Sequence, residues 1–234
     1  MREIACDESG YEGERLIGST TRLFAHASVC VSDAAAALAE LRHRIKSPAT
    51  QYKATHLRRP QHRETLRWFL GPDGPVLGNG HVVLLDKADF VRSVLAERIG
   101  VALPDDAANE LLRVKSSPDL SALPPAARKR AADFRAWLDA DPLGRSVLDP
   151  LVPAIVQHVA HWGPVDVAHD RQTQLPPRRI EILRERCALR RIAFFDAESR
   201  PDIQLADILA GTVRGITEDG DRELRHLLRP YLGP

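Results

Sequence analysis

The sequence predicts an α/β protein: a mixed sheet flanked by helices, with a helical insertion in the middle of the chain. Three observations carry this. Two short apolar segments near the start, Arg2 to Asp7 and Leu23 to Val31, are separated by a Gly- and Glu-rich piece that reads as a hairpin connection. Later apolar segments at His81 to Leu85, Val165 to Ala168 and Ile192 to Phe195 alternate with helix-patterned stretches, which points to parallel crossovers. Between residues 88 and 162 nearly everything is helix-patterned, with breaks at Pro104, at Ser116 to Pro125 and at Pro142. We therefore expect one domain over 1–234, interrupted by an insertion at 88–162.

The remaining elements follow from their end signals. Ser32 is placed to cap a helix that runs through Leu38, Leu41 and Ile45. Gln51 to Leu57 reads as a brief extended segment, and Arg63 to Leu70 as a helix stopped by Gly71-Pro72. The glycines from Gly71 to Gly80 lack the GK[ST] of a phosphate-cradling loop and read as turns. His81 to Leu85 is apolar at successive positions, as a strand covered on both faces would be. Helices are predicted over 177–189, 202–216 and 222–227.

Composition excludes several function classes. With 33 basic and 32 acidic residues the net charge is +1, so no uniform field marks a polybasic or polyacidic binder. No run of 18 apolar residues occurs, and the charged start does not read as a signal peptide. Cys6, Cys30 and Cys187 are scattered, with no CxxC, which fits a reducing cytoplasm rather than a disulfide framework. Aromatics make up 5% of the chain, too few for an extended base-stacking platform. No GxSxG elbow is present.

The informative pattern is acidic. Asp7, Asp86, Asp170 and Asp196 each stand at or just beyond the carboxyl end of an apolar strand, the edge where open α/β sheets bind ligands. Aspartates sharing that edge repel unless a cation or a proton lies between them. Asp207 sits in Ile203-Gln204-Leu205-Ala206-Asp207-Ile208-Leu209, a helix apolar nearly all round. A carboxylate there needs a partner: an arginine such as Arg214, a helix N-terminus, or a metal ion. Gln204 and Gly211 share its face.

Asp7-Glu8-Ser9-Gly10 at the end of the first strand, together with Ser199 and Gln204-Leu205-Ala206-Asp207 near the C-terminus, resembles the domain-of-unknown-function 3800 family. The likeness spans most of the chain. It implies a ribonuclease H-like fold and a metal-dependent nuclease, a hydrolase. On the matching positions it implies Asp7, Asp170 and Asp207 as catalytic acids and ligands of Mg²⁺ or Mn²⁺. The family carries a Glu two residues before a Lys that follows the first helix. Here the Lys is Lys53 and the matching position is Gln51, which brings no negative charge to a cation. Asp86 and Glu8 are the other acids available to complete the set.

Phosphodiester hydrolysis by two cations needs oxygen ligands, which a site of three Asp provides. In that scheme Asp7 bridges the ions and Asp170 and Asp207 each hold one. Lys53 contacts the scissile phosphate or orients the water, or else is a solvated surface lysine. Glu8, Ser9, Gln51, Ser199 and Gln204 surround the carboxylates, with Ser199 also able to cap the last core helix. Arg58, Arg59 and Arg63 cluster around one short helix and are candidates for phosphate binding to DNA or RNA; a salt-bridged helix face is their other meaning. His158 and His161 lie three apart on a helix but lack the zinc-protease glutamate. His169 beside Asp170 reads as a structural strand histidine or a proton shuttle. A module of the same fold that binds nucleic acid or protein without catalysis is the alternative, because of Gln51. A protein partner or homo-oligomer is compatible with either.

Overall fold

The structure, a computed structural model, describes residues 2–12, 16–46, 52–112, 119–121, 123–140, 148–173 and 175–233. The chain divides into two compact units: Met1–Gly10, Phe24–Leu84 and Ala154–Pro234 form the first, Tyr11–Leu23 and Leu85–Pro153 the second. Among the described residues no helix is long and apolar enough to cross a membrane.

A five-stranded sheet of order β3-β2-β1-β4-β5 organises the fold, with β1 Glu3–Ser9, β2 Leu23–Val29, β3 Gly80–Asp86, β4 Val165–Asp170 and β5 Leu189–Phe195. β1 and β2 pair antiparallel, with Asp7 opposite Ala27 and Glu8 opposite His26. β4 runs parallel to β1, with Cys6 beside His169, and β5 runs parallel to β4. The sheet is therefore mixed, as the hairpin-then-crossover pattern predicts.

Strand residues alternate between faces, and the two faces of this sheet differ in chemistry. Ala5, Ala25, Ala27 and Val29 enter an apolar core with Ile203, Leu205, Ile208, Leu209 and Val213 of the long helix α9, Pro201–Asp219. That helix packs across β1 and against α1 (Ala34–Ile45) and the single turn α2 (Ala54–Leu57). Proline occupies its first turn, where no N–H is needed. Gly220, at a φ of 66°, closes it in the left-handed conformation that glycine adopts without strain.

Gly211 permits the close approach of α2. A Cβ there would stand 2.6 Å from the Cβ of Ala54. This contact explains why 54–57 is helical rather than extended: burial of Ala54 and Leu57 against α9 outweighs a weak local preference. Gln51 lies outside the described residues. Two further ends differ from the sequence reading. Asp33, not Ser32, caps α1, its carboxylate accepting from Ala36 N at 2.9 Å. The last predicted helix is a 3₁₀ turn, Arg225–Leu228. α3, Arg63–Leu70, ends at Gly71 as predicted.

The second unit has its own core. Helices α4 (Lys87–Ile99), α5 (Asp105–Leu112) and α6 (Pro125–Ala140) bury Val91, Leu95, Ile99, Leu111 and Phe134 together with Leu16 and Ile17. Asp86 caps α4 by accepting from Ala88 N and Asp89 N at 3.0 and 3.1 Å, and pairs with Arg22 at 3.1 Å. Its place at a strand end is that of a helix cap. The later segment of the second unit begins at Leu85, three residues before the expected 88. At the other end α7, Leu151–Trp162, crosses the boundary, and its residues from Ala154 onward belong to the first unit. Helix α8, Pro177–Arg186, precedes β5.

Gly211→Ala is expected to lower stability in urea unfolding by about 1–3 kcal/mol through overpacking against Ala54. This loss outweighs the ~1 kcal/mol that alanine gains over glycine in a helix. A variant as stable as the parent would show that α2 moves aside freely.

Candidate functional site

The four residues expected to be catalytic gather in the first unit. Asp7 ends the buried part of β1. Its parallel neighbour one step beyond the Cys6–His169 pair is Asp170, so both carboxylates leave the same face of the sheet, toward α9. From α9, Asp207 meets Lys53, the residue preceding α2, at 2.8 Å. Lys53 Nζ donates to Asp207 Oδ2, and its side chain is about half exposed (53%).

Asp7 is 6% exposed and, among the described residues, has no ion-pair partner. Its Oδ1 accepts one backbone hydrogen bond, from Glu8 N at 2.7 Å. Burial, then the negative charges of Glu8, Asp207 and Asp170, push its carboxyl up to about 9, against that single N–H. Burial also raises Asp207, and Lys53 offsets only part of this. Burial works against the charge on Lys53, but the Asp207 hydrogen bond and the charges of Asp207, Asp7 and Asp170 hold its ammonium above the usual lysine range. Three carboxylates thus share one lysine. All are hard oxygen donors, the set that suits Mg²⁺ or Mn²⁺. The residues fit such an ion: a buried carboxylate crowded by like charge is what a divalent cation relieves.

The surrounding residues divide. Asp170 Oδ1 accepts from Ala197 N at 3.2 Å, in the 3₁₀ turn Ala197–Ser199. Gln204, buried on α9, donates from Nε2 to Ala197 O at 2.9 Å. It therefore fixes Asp170 through the Ala197 peptide rather than by touching a carboxylate. Ser199 is exposed and donates to Asp196 O at 2.7 Å, so it neither holds a site carboxylate nor caps α9, whose N-cap is Arg200. Asp196 caps the same turn through Glu198 N. Ser9 Oγ accepts from Arg214 Nε at 3.0 Å, and Arg214 pairs with Glu218 rather than with Asp207.

Two of the three candidate phosphate-binding arginines are engaged inside the protein. Arg58 lies over Gly215 and pairs with Asp219, at the C-terminal end of α9. Arg63 pairs with Asp221 at 3.0 Å and with Glu223 at 2.7 Å. Arg59 is exposed and, among the described residues, makes no salt bridge.

Glu8 leaves β1 on the opposite face from Asp7. Its Oε1 accepts from Gln172 Nε2 at 2.8 Å, and its Oε2 stands 3.9 Å from His169 Nε2. There it joins His26 and His169, both fully buried. Among the described residues, this is the set of three whose ligand atoms all lie within 4.8 Å of one another. The three aspartates do not meet that closely. Sequence reasoning missed His26. The available signal was polar residues at alternate positions of β2, His26 and Ser28, between Ala25, Ala27 and Val29.

Compared with protein-family models and with curated proteins, the chain matches none.

The Asp7 carboxyl is raised in the folded state, so the fold binds its proton more tightly than the unfolded chain does. Stability is then lost as pH rises from the ordinary 3.8 toward about 9. Asp7→Asn removes that loss. In chelator its stability advantage over the parent is expected to grow with pH across this range, by up to about 1.4 kcal/mol per pH unit. Thermal unfolding at several pH values measures it. A constant or shrinking difference would contradict the crowding of Asp7.

Proposed function

We propose that the protein is a divalent-metal-dependent phosphodiesterase that hydrolyses nucleic acid, with a ribonuclease H-like fold and a relationship to the domain-of-unknown-function 3800 family. One observation carries the reading: Asp7 from the central strand, Asp170 from its parallel neighbour and Asp207 from the covering helix collect beside Lys53 with more negative charge than that lysine balances. The α/β architecture, with a mixed sheet flanked by helices, agrees with it.

Asp7, Asp170 and Asp207 would hold Mg²⁺ or Mn²⁺, which when bound supplies a hydroxide at neutral pH and neutralises charge on the phosphoryl oxygens. Asp7, set deepest, keeps that part of the site out of bulk water, where charge interactions are stronger. Asp207 orients the Lys53 ammonium, which has two hydrogens left to offer a non-bridging phosphate oxygen. Gln204 keeps Asp170 aimed by holding the Ala197 peptide. Arg59, which is exposed, would meet a flanking phosphate. Arg58 and Arg63 would do so only by leaving surface ion pairs, which typically contribute under about 1 kcal/mol.

The rival reading is a nucleic-acid- or protein-binding module without catalysis, and it rests on Gln51 standing where the resembled family has Glu. One assay separates the two. The protein is incubated with end-labelled single- and double-stranded DNA, RNA and a DNA–RNA hybrid in Mg²⁺, Mn²⁺ or chelator. The nuclease reading predicts cleavage of at least one substrate with metal and none in chelator. Asp7→Asn and Asp207→Asn are expected to reduce it by more than about 100-fold, since losing a mere orienting neighbour of a metal site costs 10–100-fold. Cleavage by both variants at the parental rate would overturn it. No cleavage by the parent, with activity gained in Gln51→Glu, would select the rival.

A further inference from the structure

We propose that Glu8, His26 and His169 form a binding site for a divalent transition cation of the zinc class, separate from the three aspartates and on the other face of the sheet. The site joins the three central strands. Glu8 of β1 pairs directly with His26 of β2, and His169 of β4 stands beside Cys6 of β1. On each of these strands the residue belongs to the face turned away from α9.

The spacing suits one ion. His26 Nε2 and His169 Nε2 are 2.9 Å apart, and Glu8 Oε2 is 3.9 Å from His169 Nε2. Ligands on a tetrahedral ion with bonds of about 2.0–2.2 Å are separated by about 3.3 Å, so the two imidazoles would part slightly and Glu8 would close in, from a starting point where all three ligand atoms lie within 4.8 Å of one another. Two imidazoles and one carboxylate select zinc, cobalt or iron over magnesium. Three protein ligands leave a fourth position that water would fill.

Each ligand also has its second polar atom held, as metal ligands do. His169 Nδ1 donates to Asp170 O at 2.9 Å, which leaves the Nε2 lone pair facing the site. Glu8 Oε1 is held by Gln172. His26 Nδ1 lies 2.9 Å from His158 Nε2. His158 Nδ1 lies 2.7 Å from Ser28 Oγ and 2.8 Å from His81 Nδ1, and Trp162 Nε1 donates to Ser28 Oγ at 2.8 Å.

That chain of imidazoles can run in either direction. With a proton between His26 and His169, the hydrogen bonds run from His81 through His158 and His26 to His169 and end on the Asp170 carbonyl. With an ion there, His26 needs its Nε2 lone pair. It then carries its proton on Nδ1 and donates to His158 Nε2, and His158 donates from Nδ1 to Ser28 Oγ. His81 moves its proton to Nε2. Three neutral rings exchange one N–H for the other, and no proton leaves the protein. The nitrogens of His26, His158 and His169 keep partners in both directions without a buried imidazolium, but the ion-bound direction gives up the bond that His158 Nε2 donates to His26 O at 3.1 Å when the proton is there.

Cobalt(II) is the probe, because imidazole ligation at low coordination number gives intense visible bands that an all-oxygen octahedral site does not. Untagged, chelator-stripped protein is titrated with Co²⁺, and binding is followed by absorbance and by the rise in melting temperature. One equivalent with an intense band is expected in the parent and in Asp207→Asn. Affinity should fall by about tenfold or more in Glu8→Gln and in His26→Gln. Absence of the band, its persistence in both ligand variants, or its loss in Asp207→Asn would each overturn the proposal. Should a variant fail to fold, zinc-edge X-ray absorption of the zinc-loaded parent decides instead: two imidazoles in the inner shell support the site, and none refutes it. These outcomes do not depend on whether the aspartates cut nucleic acid.

Discussion

A carboxylate taken out of water at the end of the central strand, with two others beside it and one shared lysine, is the constraint around which the first unit is arranged. Asp7 cannot move away, because β1 is paired on both sides. Asp170 is fixed by the Ala197 peptide and Asp207 by the longest helix of the described chain. Isolated buried charge is costly enough that folds ordinarily neutralise or avoid it. Here the surrounding structure instead holds the charges together: Gly211 lets α2 close on α9, and that contact delivers Lys53 to Asp207.

The same strands present a second chemistry on their other face. Asp7 and Glu8 are consecutive, so the pleat sends one toward α9 and the other toward the histidines. Likewise His169 and Asp170 part to opposite faces. A two-residue motif at each of two strand ends therefore furnishes two polar sites back to back, one all oxygen and one with nitrogen. Glu8 is the link between them, its charge being the foremost of those that raise Asp7.

What the sequence made legible was local. Strand-end aspartates and a lone carboxylate in an all-round apolar helix are patterns of a few residues; they mark Asp7, Asp86, Asp170, Asp196 and Asp207, and the family resemblance singles out Asp7, Asp170 and Asp207 among them. The helical character of the middle of the chain and the stop at Gly71 were legible for the same reason. The histidine network was not, because His26, His81, His158 and His169 belong to separate elements and meet only through strand register and the docking of α7. The arginines near residue 60 read as a basic patch. Their acidic partners, Asp219, Asp221 and Glu223, lie some 160 residues further on, and nothing local marks the pairing. Ser199 fits its motif, yet its hydroxyl is spent on the turn that contains it.

The central claim, that Asp7, Asp170 and Asp207 together hold a hard divalent ion, is tested most directly by anomalous diffraction from crystals soaked in Mn²⁺. The account predicts a manganese peak within bonding distance of oxygens from Asp7 and from at least one of the other two, on the α9 face of the sheet. A map at full Mn²⁺ saturation with no peak among these carboxylates would contradict it.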